Sequence, residues 1–203
     1  MSANIAVMAS GRGSNLQVLL DSISSGNCPA CVKLVISDKE NAPALDIANR
    51  EGVEKSLFVN PKSYCNREEF DMACANFIEE SQCEWIILAG YMRILSSKFV
   101  QRFHGKILNI HPSLLPSFIG ATAIQDALTY GVKVSGCTVH LVDDVLDGGP
   151  ILAQAVVPVY DDDCVESLHA RIQIEEHRLY PEVVTRILKQ GFSLCGRRVV
   201  WHP

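Results

Sequence analysis

The stretch Asn4-Ile-Ala-Val-Met-Ala9, followed by Ser10-Gly-Arg-Gly-Ser-Asn15, decides the fold class of this chain. The first six residues form a nearly unbroken apolar run, which is typical of a strand buried on both faces of a parallel sheet. A glycine-rich turn follows, and from Leu16 the apolar residues recur at helical spacing. A strand, a tight turn and a helix in this order indicate the start of an α/β domain.

The same alternation continues through the first half of the chain. Apolar runs predict strands at Val32–Ser37, Ser56–Val59 and Trp85–Ala89, and helical spacing predicts helices at Pro43–Glu51 and Arg67–Glu80. Neighbouring parallel strands require long crossover connections, which are usually helices. We therefore predict an α/β fold with a mostly parallel open sheet and helices on both faces.

The second half of the chain has a different pattern. Lys106–Pro112 contains a further apolar run, and Cys137–Val142 and Ile151–Val157 are β-rich runs joined by an Asp-Gly-Gly-Pro turn. Two such runs flanking a turn predict antiparallel strands appended to the sheet. The amphipathic segment Val165–Gln190 predicts a long helix, kinked at Pro181 because proline removes a backbone donor.

The composition is that of a globular chain. Of its 203 residues, 48% are hydrophobic and 20% are charged, and the formal net charge is −5. A chain of this length can still form one hydrophobic core, because chains divide into domains mainly beyond about 250 residues. We therefore expect a single domain over residues 1–203, with an N-terminal half up to about residue 105 and a C-terminal half from about residue 106.

Charge and apolar patterning exclude several function classes. The acidic balance argues against nucleic-acid binding, which requires a surplus of Lys and Arg. No apolar run approaches the roughly 20 residues that span a bilayer, and the first residues lack the features of a signal peptide. We expect a cytoplasmic protein with no membrane or nucleic-acid partner and with reduced cysteines. Cys28 and Cys31 lack the second pair that a metal site would require.

The turn from Gly11 to Asn15 is a candidate anion site. It places backbone N–H groups and a helix N-terminus after the first strand, and this geometry attracts phosphate. The turn matches neither the phosphate-loop motif nor the dinucleotide fingerprint. The residues alone therefore leave open an ordinary strand-to-helix turn that is capped by Ser14 or Asn15.

Asn109, His111 and Asp147 are candidate catalytic residues. Asn109 and His111 project from one face of a strand that Pro112 ends, near the edge where open α/β sheets hold ligands. An amide donor beside an imidazole can stabilise an oxyanion and move a proton, as acyl transfer to an amine requires. The residues alone also allow a buried structural histidine and an ordinary hairpin turn at Asp147. No nucleophile elbow, Cys–His pair or metal-ligand cluster competes with them.

Five segments, taken in order along the chain, resemble the glycinamide ribonucleotide formyltransferase family. They are Ser10–Leu16, Leu88–Leu95, Asn109–Pro116, Leu146–Ile151 and Glu175–Pro181. The resemblance implies a Rossmann-like formyltransferase fold and a role in purine biosynthesis. It also implies that N10-formyltetrahydrofolate is the co-substrate, that its formyl group passes directly to the amine of glycinamide ribonucleotide, and that no metal takes part.

The resemblance implies a role for each matching residue. Asn109, His111 and Asp147 match the catalytic residues of the family. Residues expected to hold the ribonucleotide are Gly11, Arg12, Gly13, Ser14, Asn15, Gln173 and Glu176. Residues expected to hold the folate are Arg67, Met92, Arg93, Ile94, Leu95, Val142, Asp143, Asp144 and Val145.

Within that folate set, Arg67 is expected to meet the glutamate carboxylate, and the loop Val142–Asp147 is expected to close over the pterin. The ribonucleotide phosphate then belongs to the N-terminal half, and catalysis and folate binding belong to the C-terminal half. A monomer or a weak homodimer is expected.

One segment departs from the family pattern. Ile124 stands where the family usually has a histidine, and Ile119 stands where animal members have a lysine. Both changes remove polar groups from the neighbourhood of His111 and leave the details of substrate contact open.

Three alternative functions remain. Formyltetrahydrofolate hydrolase and methionyl-tRNA formyltransferase share this domain. The hydrolase normally has an N-terminal regulatory domain and the tRNA enzyme a basic C-terminal domain, and we expect neither here. The third alternative is a folate- or nucleotide-binding regulator that has lost catalysis through changes such as Ile124.

Overall fold

The computed structural model describes residues 2–203, and its first half has the predicted alternation of strands and helices. A short 3-10 helix, Pro61–Ser63, precedes the third α-helix. The other elements, in chain order, are β1 Ala3–Met8, α1 Ser14–Ser24, β2 Ala30–Ser37, α2 Pro43–Arg50, β3 Lys55–Phe58, α3 Arg67–Glu80, β4 Trp85–Leu88 and α4 Ser97–Arg102.

The second half contains the predicted strands and long helix together with elements that the sequence pattern did not predict. The elements are β5 Ile107–His111, α5 Ala123–Tyr130, β6 Val134–Leu141, β7 Ile151–Pro158, α6 Val165–Gln190, β8 Phe192–Cys195 and β9 Arg198–Trp201. The helix α5 and the hairpin of β8 and β9 were not predicted.

Seven strands form one sheet in the order β3-β2-β1-β4-β5-β6-β7. β1 pairs in parallel with β2 and with β4, and β2 pairs in parallel with β3. β6 and β7 are antiparallel, as predicted. The predicted α/β fold with appended antiparallel strands is confirmed.

The strand order reverses direction at β1. From β1 the chain moves outward to β2 and β3, then returns to place β4 on the other side of β1. Ligands of open α/β sheets bind beyond the carboxyl ends of the strands at such a switch point. Residues 5–8 of β1 and Ala9 directly after it are fully buried, so groups for a ligand there come from the segments that follow the strands.

The chain divides into two compact units, of which one ends at Leu108 and the other begins at Asn109. In the first unit, α2 packs on β2 and β3, and α3 packs on α4. In the second unit, α6 packs on β6 and β7 and contains Pro181 as a buried residue without a break in the helix. None of the helices between residues 2 and 203 combines the length and the apolar composition of a transmembrane segment.

The structure decides against one alternative that the residues of the glycine-rich turn left open. The cap of α1 is Gly13, with φ 75°, and no side chain caps the helix, so neither Ser14 nor Asn15 has that role. A Cβ atom on residue 13 would lie 2.8 Å from the Cα atom of Ala44. The close approach of α2 therefore requires glycine at this position, a constraint that the local sequence does not reveal.

Candidate active site

In the second unit, the candidate catalytic residues meet where β5 ends. His111, the last residue of β5, is 6% exposed. Its Nδ1 atom lies 3.5 Å from Oδ2 of Asp147, and its Nε2 atom lies 2.8 Å from the carbonyl oxygen of Phe118. Both neighbours are hydrogen-bond acceptors, so a protonated His111 can donate to each of them. The structure thus brings His111 and Asp147 together.

His140 belongs to the same cluster and was missed in the sequence. It lies on β6 and is 2% exposed. Its Nδ1 atom donates to the carbonyl oxygen of Leu141 at 2.8 Å, so in the neutral ring Nε2 is an acceptor. That Nε2 atom lies 3.2 Å from Nδ2 of Asn109 and 3.8 Å from Oδ1 of Asp147. His140 therefore accepts one amide hydrogen of Asn109 and links Asn109 to the cluster.

Burial determines the charge of His140. It lowers the pKa of this histidine, although the hydrogen bond to Leu141 and the charge of Asp147 act in the opposite direction. His140 is therefore neutral near pH 7, consistent with its role as an acceptor. A polar residue within the apolar run 137–142 was the signal that could have revealed it.

The turn that carries Asp147 is tightly constrained. Asp147 has φ 50°, an uncommon value for a residue other than glycine. Its Oδ2 atom accepts a hydrogen bond from the N–H of Gly120 at 2.8 Å. A Cβ atom on Gly149 would lie 1.8 Å from the carbonyl oxygen of Leu141. Glycine is therefore required at position 149, and the backbone of the turn holds the carboxylate in place.

In the first unit, the glycine-rich turn follows β1 at the switch point. The first hydrogen bond of α1 is donated by the N–H of Gln17 to the carbonyl of Gly13, at 2.9 Å. The backbone N–H groups before Gln17 therefore lie at the helix end, where the helix dipole favours an anion. Arg12 is exposed beside them. The five predicted turn residues thus lie together.

The segment Met92–Leu95 follows β4, on the other side of the switch point. The N–H of Met92 donates to Oγ of Ser10 at 2.9 Å, which joins this segment to the glycine-rich turn. Met92 and Ile94 are 69% and 55% exposed, whereas Leu95 is buried. The segment therefore presents two exposed apolar side chains.

A buried carboxylate holds the end of this segment. Oδ2 of Asp71, on α3, accepts a hydrogen bond from the N–H of Ser96 at 2.6 Å. Burial raises the pKa of Asp71, whereas the hydrogen bonds from Ser96 and the charges of Arg67 and Arg93 act to lower it. The guanidinium of Arg93 lies 4.7 Å from the ring centroid of Phe70. Helix α3 therefore positions Arg93 and carries the exposed Arg67 in its own first turn.

The remaining predicted residues lie in the second unit. On α6, Glu176 is buried and Gln173 is half-buried, one helical turn apart. The loop Val142–Val145 follows β6, and Oδ1 of Asp143 accepts the N–H of Val145 at 2.9 Å. The structure brings Asn109, His111 and Asp147 together, and it places Gln173 and Glu176 on a separate element of that unit.

The positions that depart from the pattern of the resembled family differ in environment. Ile119 is 53% exposed beside Phe118, whose carbonyl receives His111. Ile124 is half-buried in α5. Neither isoleucine supplies a hydrogen-bonding side chain, so the polar contacts of His111 come from the backbone of Phe118 and from Asp147.

A family model described as formyl transferase matches residues 3–184 of the chain. The chain is 43% identical over 180 residues to the phosphoribosylglycinamide formyltransferase of Haemophilus influenzae, a match that covers 89% of this chain and 84% of that protein. It is 48% identical over 201 residues to the human trifunctional purine biosynthetic protein adenosine-3. That match covers 98% of this chain but only 20% of the human protein, so the chain spans about a fifth of this relative.

A solved structure agrees with the sequence relatives. The crystal structure of glycinamide ribonucleotide transformylase 1 from Symbiobacterium toebii superposes with a TM-score of 0.96 at 44% identity. The superposition covers 100% of this chain and 95% of that chain. Fold and sequence therefore point to the same group of proteins.

Proposed function

Because the chain belongs to the formyl transferase family, we propose that it transfers the formyl group of N10-formyltetrahydrofolate to the primary amine of glycinamide ribonucleotide. The observation that carries this proposal is the cluster of the buried His111 and His140 with the half-buried Asn109 and Asp147. It combines an amide donor, an imidazole and a carboxylate, which are the groups that acyl transfer to an amine requires. The names of the relatives, which include a phosphoribosylglycinamide formyltransferase, support the same substrates.

The reaction proceeds by direct attack. The amine nitrogen forms a bond to the formyl carbon, and the carbonyl oxygen becomes an oxyanion. The amide of Asn109 has two hydrogens, of which His140 accepts one. The second hydrogen of the Asn109 amide is donated to the oxyanion, and the positive charge of protonated His111, whose N–H groups face Asp147 and the carbonyl of Phe118, stabilises it electrostatically. When the intermediate collapses, the bond from carbon to N10 of the folate breaks.

Asp147 has two roles in this scheme. Its carboxylate, 3.5 Å from Nδ1 of His111, stabilises the imidazolium form. It also receives the proton that the attacking amine loses, through a water molecule, and this proton then passes to N10 of the departing tetrahydrofolate. Protons and electron pairs balance without a covalent enzyme intermediate.

The ribonucleotide is proposed to bind through particular backbone and side-chain groups. The helix N-terminus at Gly13–Asn15, together with Arg12, would take the phosphate. Gln173 and Glu176 would take polar groups elsewhere on this substrate. With a formal net charge of −5, the chain has no overall positive field to attract an anion.

The folate is proposed to bind along two segments. Met92–Leu95 offers exposed apolar side chains and backbone groups to a flat pterin ring. Val142–Val145 would cover the ring, and the exposed Arg67 would meet the glutamate carboxylate. Of this folate set, Arg67 and Met92–Leu95 lie in the unit that ends at Leu108, and Val142–Val145 lies in the other.

We also propose that the protein acts in the cytoplasm, as a monomer or a weak homodimer. No disulfide joins any of the eight cysteines, all of which lie within the described residues. Reduced cysteines are typical of proteins from reducing compartments.

One assay tests the proposed function. The purified protein is mixed with N10-formyltetrahydrofolate, and tetrahydrofolate is measured with and without glycinamide ribonucleotide. The expected result is turnover only when the ribonucleotide is present, with an equal amount of formylated product. Turnover without the ribonucleotide would instead identify a hydrolase, and saturable folate binding without turnover would identify a regulator.

A further inference from the structure

The hairpin of β8 and β9 lies outside residues 3–184, which the family model matches. Its open end is fixed to the preceding helix by aromatic contacts. Phe192 pairs with Trp201 across the hairpin, and their rings meet edge to face at 5.8 Å. The guanidinium of Arg186, on α6, lies 4.2 Å from the ring centroid of Trp201. The hairpin therefore holds its tip in a defined place relative to α6.

Arg197 lies at that tip and reaches the turn that carries Asp147. Its Nη2 atom donates to the carbonyl oxygen of Gly148 at 2.5 Å and to that of Gly149 at 3.4 Å. These two glycines directly follow Asp147. A hydrogen bond from a charged group is stronger than one between neutral groups. The hairpin thus binds the backbone of the turn through Arg197.

The turn requires support of this kind. Asp147 adopts φ 50°, and strained backbone persists only when its surroundings hold it in place. The N–H of Gly148 donates to the carbonyl of Val145 within the turn, whereas the carbonyl oxygens of Gly148 and Gly149 accept from Arg197, a side chain distant in the sequence. We infer that Arg197 is a positioning residue, which holds the turn so that the carboxylate of Asp147 faces His111.

This inference rests on the proposed function, because the positioned group is the proposed proton acceptor. Arg197 is exposed, and exposed contacts of this kind contribute little to global stability. A displacement of a catalytic group by about 1 Å can cost on the order of a hundredfold in rate. Loss of Arg197 should therefore lower kcat and leave thermal stability and both KM values nearly unchanged.

The neighbouring Arg198 offers a matched control. It has the same charge, lies on the same hairpin and is exposed, and its side chain makes no hydrogen bond or ion pair with the residues from 2 to 203. R197M is expected to lower kcat on the order of tenfold, with both KM values within about twofold. R198M is expected to match the unchanged protein, and R197K to recover part of the loss, because lysine retains a charged donor.

A double variant tests whether Arg197 acts through Asp147. If it does, adding R197M to D147N leaves kcat at the value of D147N alone. The inference is overturned if R197M and R198M have equal kcat. It is also overturned if R197M lowers kcat with a parallel loss of Tm, or if its effect multiplies with that of D147N.

A readout that is independent of turnover separates this inference from the proposed function. Hydrogen–deuterium exchange is measured in the segment that contains residues 145–150. Faster exchange in R197M, but not in R198M, supports the positioning role, and equal exchange in the two variants overturns it. If the unchanged protein shows no formyl transfer, the proposed function fails while this comparison still decides the role of Arg197.

Discussion

The turn after β1, Ser10–Asn15, and the turn between β6 and β7, Leu146–Pro150, both depend on glycine but are held in different ways. In the first, Gly13 is required because α2 approaches closely at Ala44. The proposed ligand meets backbone N–H groups at a helix end. In the second turn, the glycines permit the backbone conformation, and the group proposed to act in catalysis is the carboxylate of Asp147.

The contacts of the two turns differ accordingly. The first turn is fixed through its backbone, including the hydrogen bond from the N–H of Ala44, on α2, to the carbonyl of Gly11 at 3.2 Å. The second turn is fixed by contacts to Gly120 and to Arg197, and its carboxylate faces His111. All three of these residues are distant from the turn in the sequence. A site made of backbone groups is therefore sensitive to the size of the side chains packed against it. A site that depends on the orientation of one side chain is sensitive to substitutions at distant positions that hold it.

The largest effect is expected at the second turn, for D147N. An amide oxygen can still accept the N–H of Gly120, so the fold is retained, but the negative charge beside His111 is lost. We expect kcat to fall by about 10²- to 10⁴-fold, the usual contribution of general acid–base catalysis. The measurement is steady-state turnover with both substrates.

The matched control for D147N is D161N in the same unit. The side chain of Asp161 is 91% exposed and pairs with Lys133 on the surface. This variant should retain the kcat of the unchanged protein. A D147N protein with a kcat close to that of D161N would remove Asp147 from the mechanism.

The first turn should lose stability and ribonucleotide affinity in G13A. The new Cβ atom would meet Ala44 at 2.8 Å and Ile47 at 3.0 Å, and the backbone would retain φ 75°. Gly26, with φ 76° and nothing within 4 Å of a new Cβ atom, isolates the backbone strain. We expect G26A to cost about 1 kcal/mol of the free energy of unfolding, and G13A to cost a further ~1–3 kcal/mol from crowding.

Urea unfolding measures both costs, and the KM for the ribonucleotide should rise in G13A alone. Equal unfolding free energies for the two variants would show that the close approach of α2 is relieved without cost. In that case the first turn would not differ from the second in its sensitivity to the size of the side chain at residue 13.

The smallest effect is a pH dependence that arises beside the second turn. Burial lowers the pKa of His140 in the folded protein, so the unfolded chain binds a proton more readily. Stability is therefore full above the pKa of an unfolded histidine and falls as the pH drops from there toward the folded pKa. Each such group contributes at most about 1.4 kcal/mol per pH unit.

Urea unfolding at pH 7.5 and at pH 5.5 provides the measurement. Between these values H140Q should lose less stability than the unchanged protein. The pKa of His177 is also lowered by burial, so part of the dependence of the unfolding free energy on pH remains in H140Q. Substitution of the exposed His104 by glutamine should leave this dependence as it is, and an equal effect of both substitutions would contradict the role of His140.

Much of the fold could be predicted from the sequence because strong local patterns carry it. The unbroken apolar run of β1 and the helical spacing of α6 each predict an element by themselves. The predicted region of β6 and β7 is found as an antiparallel pair. The cap of α1 could not be decided from the local sequence because Gly13 is required by packing against α2, and α5 and the last hairpin were missed.

The residues of the candidate site also differ in how far the sequence could reveal them. Asn109 and His111 could be found because two polar side chains on one face of an apolar strand are unusual. Arg197 could not be singled out, since its partner Gly148 is 49 positions away. His140 was missed although it is a polar residue in an apolar run, since its partner Asn109 is 31 positions away. Only the folded chain shows that His140 accepts from the amide and that Arg197 reaches the turn.

The order of residues thus determines the alternation of strands and helices, the glycine-rich turns and the identity of the reactive groups, because periodicity and turn chemistry act over a few neighbouring positions. The tertiary structure decides which groups meet. The orientation of Asp147 toward His111, the neutral state of His140 and the support from Arg197 arise from burial and from contacts between distant segments, for which local sequence has no signal.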